Sequence, residues 1–287
     1  MAPAPVLLAY VAALVFRRDA VPAGLCNDTA EEALRGVILL AQHRFEPITT
    51  VLGNSAETLY LYLLGISGRL LGQTTLAIEL VSWLFALGVI AMTAAVVRRI
   101  EPAIPPIVPV AIAATSVWLF HYARAGLRAI SAPLFLLLFV WFAMRAEERR
   151  RDAILAGVFL ALGVYAYTSF RSVPIAWLLW ALWRRRWRSA MTTATAALVV
   201  SIPNLIFFAR APGEFLLRGA YVVREGKLGN VIATALMPLV YFDEYRDVNG
   251  PHHFFDGVSA GLTRANINPV HPLIAILFAW GLFLALR

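Results

Sequence analysis

The feature that most constrains this chain is a succession of apolar runs, each long or nearly long enough to cross a bilayer, separated by short clusters of charge. An N-terminal run, PVLLAYVAALVF, is followed by runs at about 77–97, 105–120, 131–144, 153–168, 172–183, 190–208 and 270–286. A crossing helix needs roughly 20 residues, so the shorter runs borrow flanking residues. Helices satisfy their backbone groups internally, which lipid demands of any crossing segment. The strands of a membrane barrel would alternate polar and apolar residues, and these runs do not. With 60% of its residues hydrophobic, the chain does not read as a soluble domain. The expected fold is all-α: a polytopic transmembrane helical bundle, with residues 1–287 forming one domain.

Charge placement orients the bundle. A net charge of +8 suggests nucleic acid only until the basic residues are located. They cluster at the ends of apolar runs: Arg98 and Arg99, Arg145 with Arg149–Arg151, and Arg184–Arg186 with Arg188. Such clusters mark cytoplasmic ends, and placing all three inside makes the runs alternate in direction. The outside then carries Asp28, Glu31, Glu32, Glu46, Glu57, Glu214, Asp243, Glu244, Asp247 and Asp256, with every histidine: His43, His121, His252, His253 and His271. Arg17 and Arg18 also fall outside, where long side chains can snorkel to the headgroups. Function is expected on this outer face. The first outer loop spans 17–76 and contains two membrane-parallel helices, 29–43 and 56–72, with Tyr60 and Tyr62 at the interface. A second outer loop spans 209–269. The N-terminal run lacks a basic n-region and reads as a retained span or signal anchor. Cys26 is the only cysteine, which excludes an internal disulfide.

Four stretches, PAGLCNDTAEEALRG, GNSAETLYLYLLG, LFHYARAGLRAI and YAYTSFRSVP, occur in this order at the outer ends of the runs. Together they resemble the GT-C superfamily of membrane glycosyltransferases. The chain is similar to the dolichyl-phosphate-mannose protein mannosyltransferases and to the bacterial lipid A aminoarabinose transferase. The stretches match the family's acidic loop motif, surface helix, His/Arg outer turn and Tyr-Thr-Arg outer turn. Most such relatives carry an Asp-Glu pair where this chain has Asp28 and Thr29, and often an arginine at the position of Glu79. Relatives also continue further, so a shorter form lacking their C-terminal part is expected.

The resemblance implies inverting transfer of a sugar from a polyprenyl-phosphate donor to an acceptor hydroxyl at the extracytoplasmic face of a bacterial plasma membrane. The acceptor would be a protein, lipid or glycan, and the other partners are membrane lipids and not nucleic acid. Such chemistry needs a carboxylate to accept a proton and cations to hold the departing phosphate. Asp28 matches the base by position. Asp28 and Glu31 also read as a capping box for a helix starting near Thr29, a role compatible with catalysis. Arg124, Arg128 and Arg171 are the phosphate candidates, although interfacial arginines also snorkel without a ligand. His121, Tyr167, Glu57 and Glu31 are further substrate-binding candidates. Arg35 shares a helical face with Asp28 and is an ion-pair candidate for Glu31 or Glu32.

The stretch YFDEYRDVNGPHHFFDG at 241–257 is rich in Asp, Glu and His but has no strong metal-ligand spacing, and no cofactor is expected. It reads as a solvated or acceptor-binding loop. Two alternatives remain. A transporter or flippase would place ionisable groups near the bilayer midplane, whereas these runs are nearly free of charge at their centres. A catalytically inactive scaffold of the same fold is the other.

Overall fold

A computed structural model describes residues 3–16, 27–43, 45–52, 54–185 and 187–214. The bundle comprises ten helices among the described residues: α1 (Ala4–Val15), α2 (Asn27–Ala41), α3 (Leu59–Leu71), α4 (Thr75–Ile100), α5 (Ile107–Ala114), α6 (Val117–Ala125), α7 (Ser131–Ala143), α8 (Arg150–Ala166), α9 (Ser172–Trp183) and α10 (Trp187–Arg210). Short 3-10 turns at Arg128–Ile130 and Thr168–Arg171 lead into α7 and α9. The last apolar run, nearly all of the loop 209–269 and the 241–257 stretch lie outside the described residues. So do Arg17, Arg18 and Cys26.

Lipid-compatible length is clearest in α4 and α10. Both are long and apolar enough to cross a membrane. At 1.5 Å per residue, the 26 residues of α4 extend about 39 Å, more than a hydrocarbon core of about 30 Å. The side chain of Thr74 caps the start of α4 by accepting from the Ala77 N–H at 3.2 Å, and Arg98 and Arg99 close it. The central helix is α4, which packs against α3, α5, α6 and α7; α8 packs against α7 and α10. The core runs through the Tyr60, Phe85 and Phe135 rings, whose successive centroids lie 5.7 and 6.0 Å apart.

Three local features depart from expectation. The run at 105–120 is not one helix. It breaks at Thr115 and Ser116 and bends by 59°, and the Ser116 hydroxyl caps the new helix by accepting from the Leu119 N–H at 3.4 Å. As a result α6 carries HYARA as helix, where a turn was expected. The first outer loop also contains an antiparallel hairpin, β1 (Ile48–Val51) with β2 (Asn54–Glu57), in which Ile48 faces Glu57. The β-branched run ITTV suits a half-buried strand. Finally, Tyr60 is fully buried and not at the interface, because α3 packs inward through Tyr60, Leu61, Leu64 and Gly65.

The two helices of the first outer loop are present, and they cross at a glycine pair. A Cβ on Gly36 of α2 would lie 2.1 Å from the Leu61 carbonyl oxygen, and one on Gly65 of α3 would lie 2.4 Å from the Gly36 carbonyl oxygen. Backbone therefore rests on backbone, and neither position tolerates a side chain without separating the helices. Elsewhere in the bundle, Pro203 sits inside α10 and deprives that helix of one N–H. The Tyr165 hydroxyl of α8 enters the gap, donating to the Val200 carbonyl at 3.0 Å and accepting from the Asn204 N–H at 3.3 Å.

Candidate functional site

Glu57 ends β2 and is completely buried. A carboxylate there requires partners, since an isolated buried charge is prohibitively costly. It has three. Thr168 donates its hydroxyl to both carboxylate oxygens, at 2.7 and 2.9 Å. Arg171 donates from Nη2 at 2.8 Å, and Arg128 approaches with Nη1 at 3.5 Å. Arg128 in turn pairs through Nε with Glu32 of α2 at 2.8 Å. Two carboxylates and two guanidiniums, drawn from four separated segments, thus form one buried network. Aromatic faces complete its walls: Arg128 lies 5.5 Å from the Tyr167 ring centre and Arg171 lies 5.0 Å from that of Phe208.

Local structure accounts for these positions. Gly126 ends α6 with φ +71°, a conformation that glycine adopts without strain. A Cβ there would also meet Thr29 and Ile78 at 2.9 and 2.8 Å. The tight turn delivers Arg128 beneath α2. It is held from both sides: Thr29 donates its hydroxyl to the Ala125 carbonyl at 3.0 Å, and Tyr60 donates to the Gly126 carbonyl at 3.0 Å. Tyr60 also bonds the Ser82 hydroxyl. Burial pushes the Tyr60 phenol well above its ordinary range, so it remains a neutral donor.

Asp28 stands differently. Asp28 lies within α2, in the first turn of its described residues, and not ahead of the helix as a flanking cap. Its side chain is exposed, one helical turn before the buried Glu32. A carboxylate in the first turn is favoured by the helix dipole. Asp28 therefore presents an accessible carboxylate one helical turn from the inward-facing Glu32.

The other candidates divide. Arg128, Arg171, Tyr167 and Glu57 converge. Arg124 is turned elsewhere: its Nη1 donates to the carbonyls of Ala13 and Phe16 at 3.2 and 2.8 Å, tying α6 to the end of α1. The His121 ring lies against Trp118 and Tyr122. Glu31 is half-buried, and it is Glu32 that faces inward. Arg35 does not pair with Glu31 or Glu32; it donates to the Thr49 hydroxyl at 2.6 Å and lies 4.0 Å from Glu46. The hairpin, absent from the sequence reading, supplies that competing partner. Glu32 is read from the sequence chiefly as a partner of the helix dipole, and Thr168 is not singled out. The buried positions Thr29, Glu32, Gly36 and Leu39 follow helical spacing, a signal that marks Glu32 as inward-facing. Thr168 is signalled only as the middle member of the Tyr-Thr-Arg turn. Among the described residues, no group of three or more His, Cys, Asp or Glu is gathered for a metal ion.

No curated protein and no solved structure matches the chain. One family model does, over residues 58–208, more than half of the chain. The matched region includes His121, Arg124, Arg128, Tyr167, Thr168 and Arg171, and begins one residue after Glu57. With its all-α membrane bundle, and by that match, the chain belongs to the dolichyl-phosphate-mannose-protein mannosyltransferase family, a family of integral-membrane glycosyltransferases.

Proposed function

We propose that this protein transfers a sugar from a polyprenyl-phosphate donor to an acceptor hydroxyl at the extracytoplasmic face of a bacterial plasma membrane. The observation that carries the reading is the exposed Asp28 carboxylate, one turn from a buried network that contains two arginines. Asp28 accepts the proton of the acceptor hydroxyl as its oxygen forms a bond to the anomeric carbon. The bond from that carbon to the phosphate oxygen breaks, and the electron pair leaves with the polyprenyl phosphate. A single displacement of this kind inverts the anomeric centre. Arg171, 12% exposed, is the network arginine with access to the departing phosphate, whereas Arg128 lies deeper and supports it. Tyr167 forms part of the same wall.

Asp28→Asn tests the base directly. Sugar transfer from a polyprenyl-phosphate donor should fall by about 10²- to 10⁴-fold. Folding should be unchanged, because the side chain is exposed. Wild-type transfer by that variant would sink the assignment. Orientation is checked separately in a Cys26→Ser background. Asp28→Cys should react with an impermeant maleimide in intact cells, and Glu148→Cys only after permeabilisation.

A further inference from the structure

The network that gathers the arginines also occupies them. Arg171, the more accessible arginine, is already hydrogen-bonded to Glu57 at 2.8 Å, and Glu57 is also held by the Thr168 hydroxyl. Arg128 is shared between Glu57 and Glu32. An arriving phosphate diester must therefore compete with a carboxylate for either guanidinium. Something in the cluster must yield.

We propose that Glu57 is a positioning residue that stands in for the donor phosphate. This rests on the polyprenyl-phosphate reading above. In the unliganded state Glu57 holds Arg171 at a fixed place and balances its charge; the donor phosphate then takes Arg171 over, and Glu57 remains with Thr168. Glu57 is suited to the exchange because Thr168 reaches both of its oxygens, so losing Arg171 leaves the carboxylate solvated by a hydroxyl and by Arg128. The return step matters as much. Transfer converts a phosphate diester into a monoester, whose second ionisation lies near pH ~6, so the product phosphate is more negative than the donor. It would grip Arg171 more firmly than the donor does. Glu57, waiting beside the guanidinium, competes for it and shortens the stay of the product.

The test is a binding measurement with sugar-free polyprenyl phosphate, on the full-length protein in phosphatidylcholine nanodiscs. Glu57→Gln removes the competing charge and preserves the shape. Its affinity for the probe should rise about tenfold, with a lower donor KM and a lower kcat as release becomes limiting. Glu57→Asp, which restores the charge, should return towards wild-type affinity. Equal or weaker binding by folded Glu57→Gln overturns the proposal, because a purely structural role predicts only loss. Should that variant fail to fold, Thr168→Val carries the test: without the hydroxyl Glu57 holds Arg171 more tightly, so affinity for the probe should fall several-fold, and unchanged or higher affinity overturns the proposal. Failure of the wild-type protein to bind polyprenyl phosphate at all would take the functional reading down as well. Normal wild-type binding with no gain in Glu57→Gln removes the Glu57 exchange alone.

Discussion

The two ends of this bundle handle charge in opposite ways. At one end Glu32, Glu57 and Arg128 are almost wholly buried, and each is matched by a partner from a distant segment. At the other, Arg99 pairs with Glu148 while both remain largely exposed, and Arg149, Arg150, Arg151, Arg184, Arg185 and Arg188 face outward. The second end has one exception, the buried Asp152, which lies 3.2 Å from Arg145. Exposed charges are screened by salt and hold little geometry. Buried ones hold each other in place but tolerate no missing partner. Precise placement is thus concentrated where the chemistry is proposed, and the arginine-rich end is suited to orienting the chain in the membrane.

The comparison breaks most readily at Glu57. Glu57→Ala removes the buried carboxylate that Arg128 and Arg171 share and should cost about 3–5 kcal/mol of stability, read as a fall in melting temperature in detergent. Next is the helix crossing that carries Glu32 into the network. Gly36→Leu must separate α2 from α3, at about 1–3 kcal/mol or more, and should reduce donor binding together with stability. Asp152→Asn sharpens the contrast, because it tests burial without the proposed site; a cost of about 1–3 kcal/mol with donor affinity unchanged is expected. The smallest effect belongs to Arg99→Gln, below about 1 kcal/mol and vanishing at high salt. A large effect there would end the distinction between the two ends.

The helices were largely legible in the sequence. The expected run at 172–183 coincides with α9, and those at 77–97 and 190–208 lie within α4 and α10. Each is specified by its own composition, with arginines or a cap at the end. The hairpin was not legible, because four-residue strands carry little periodic signal and this one is stabilised by its contacts with α2 and α8. The break at Thr115 and Ser116 was hidden within an apolar run for the same reason: a single serine cap decides it.

Site legibility follows a similar division. Arg128 and Arg171 stand out as cations at the ends of apolar runs, and they do meet. Arg124 has the same appearance in the sequence, yet it binds the carbonyls that end α1. Nothing local distinguishes these three arginines. Glu57 entered the sequence reading as one substrate-binding candidate among several, and the structure places it at the centre of the network.

The sequence by itself determined the class of the molecule, an apolar helical bundle with its charges sorted to the ends. Lipid acts on each run separately, so local composition suffices for that. Only the tertiary structure decided which charges meet. That outcome depends on how closely helices approach, on the backbone contact of Gly36 with Gly65 and on the turn at Gly126 that carries Arg128 beneath α2. Pairing energies fall off steeply with distance and rise with burial, and both are properties of the packed assembly.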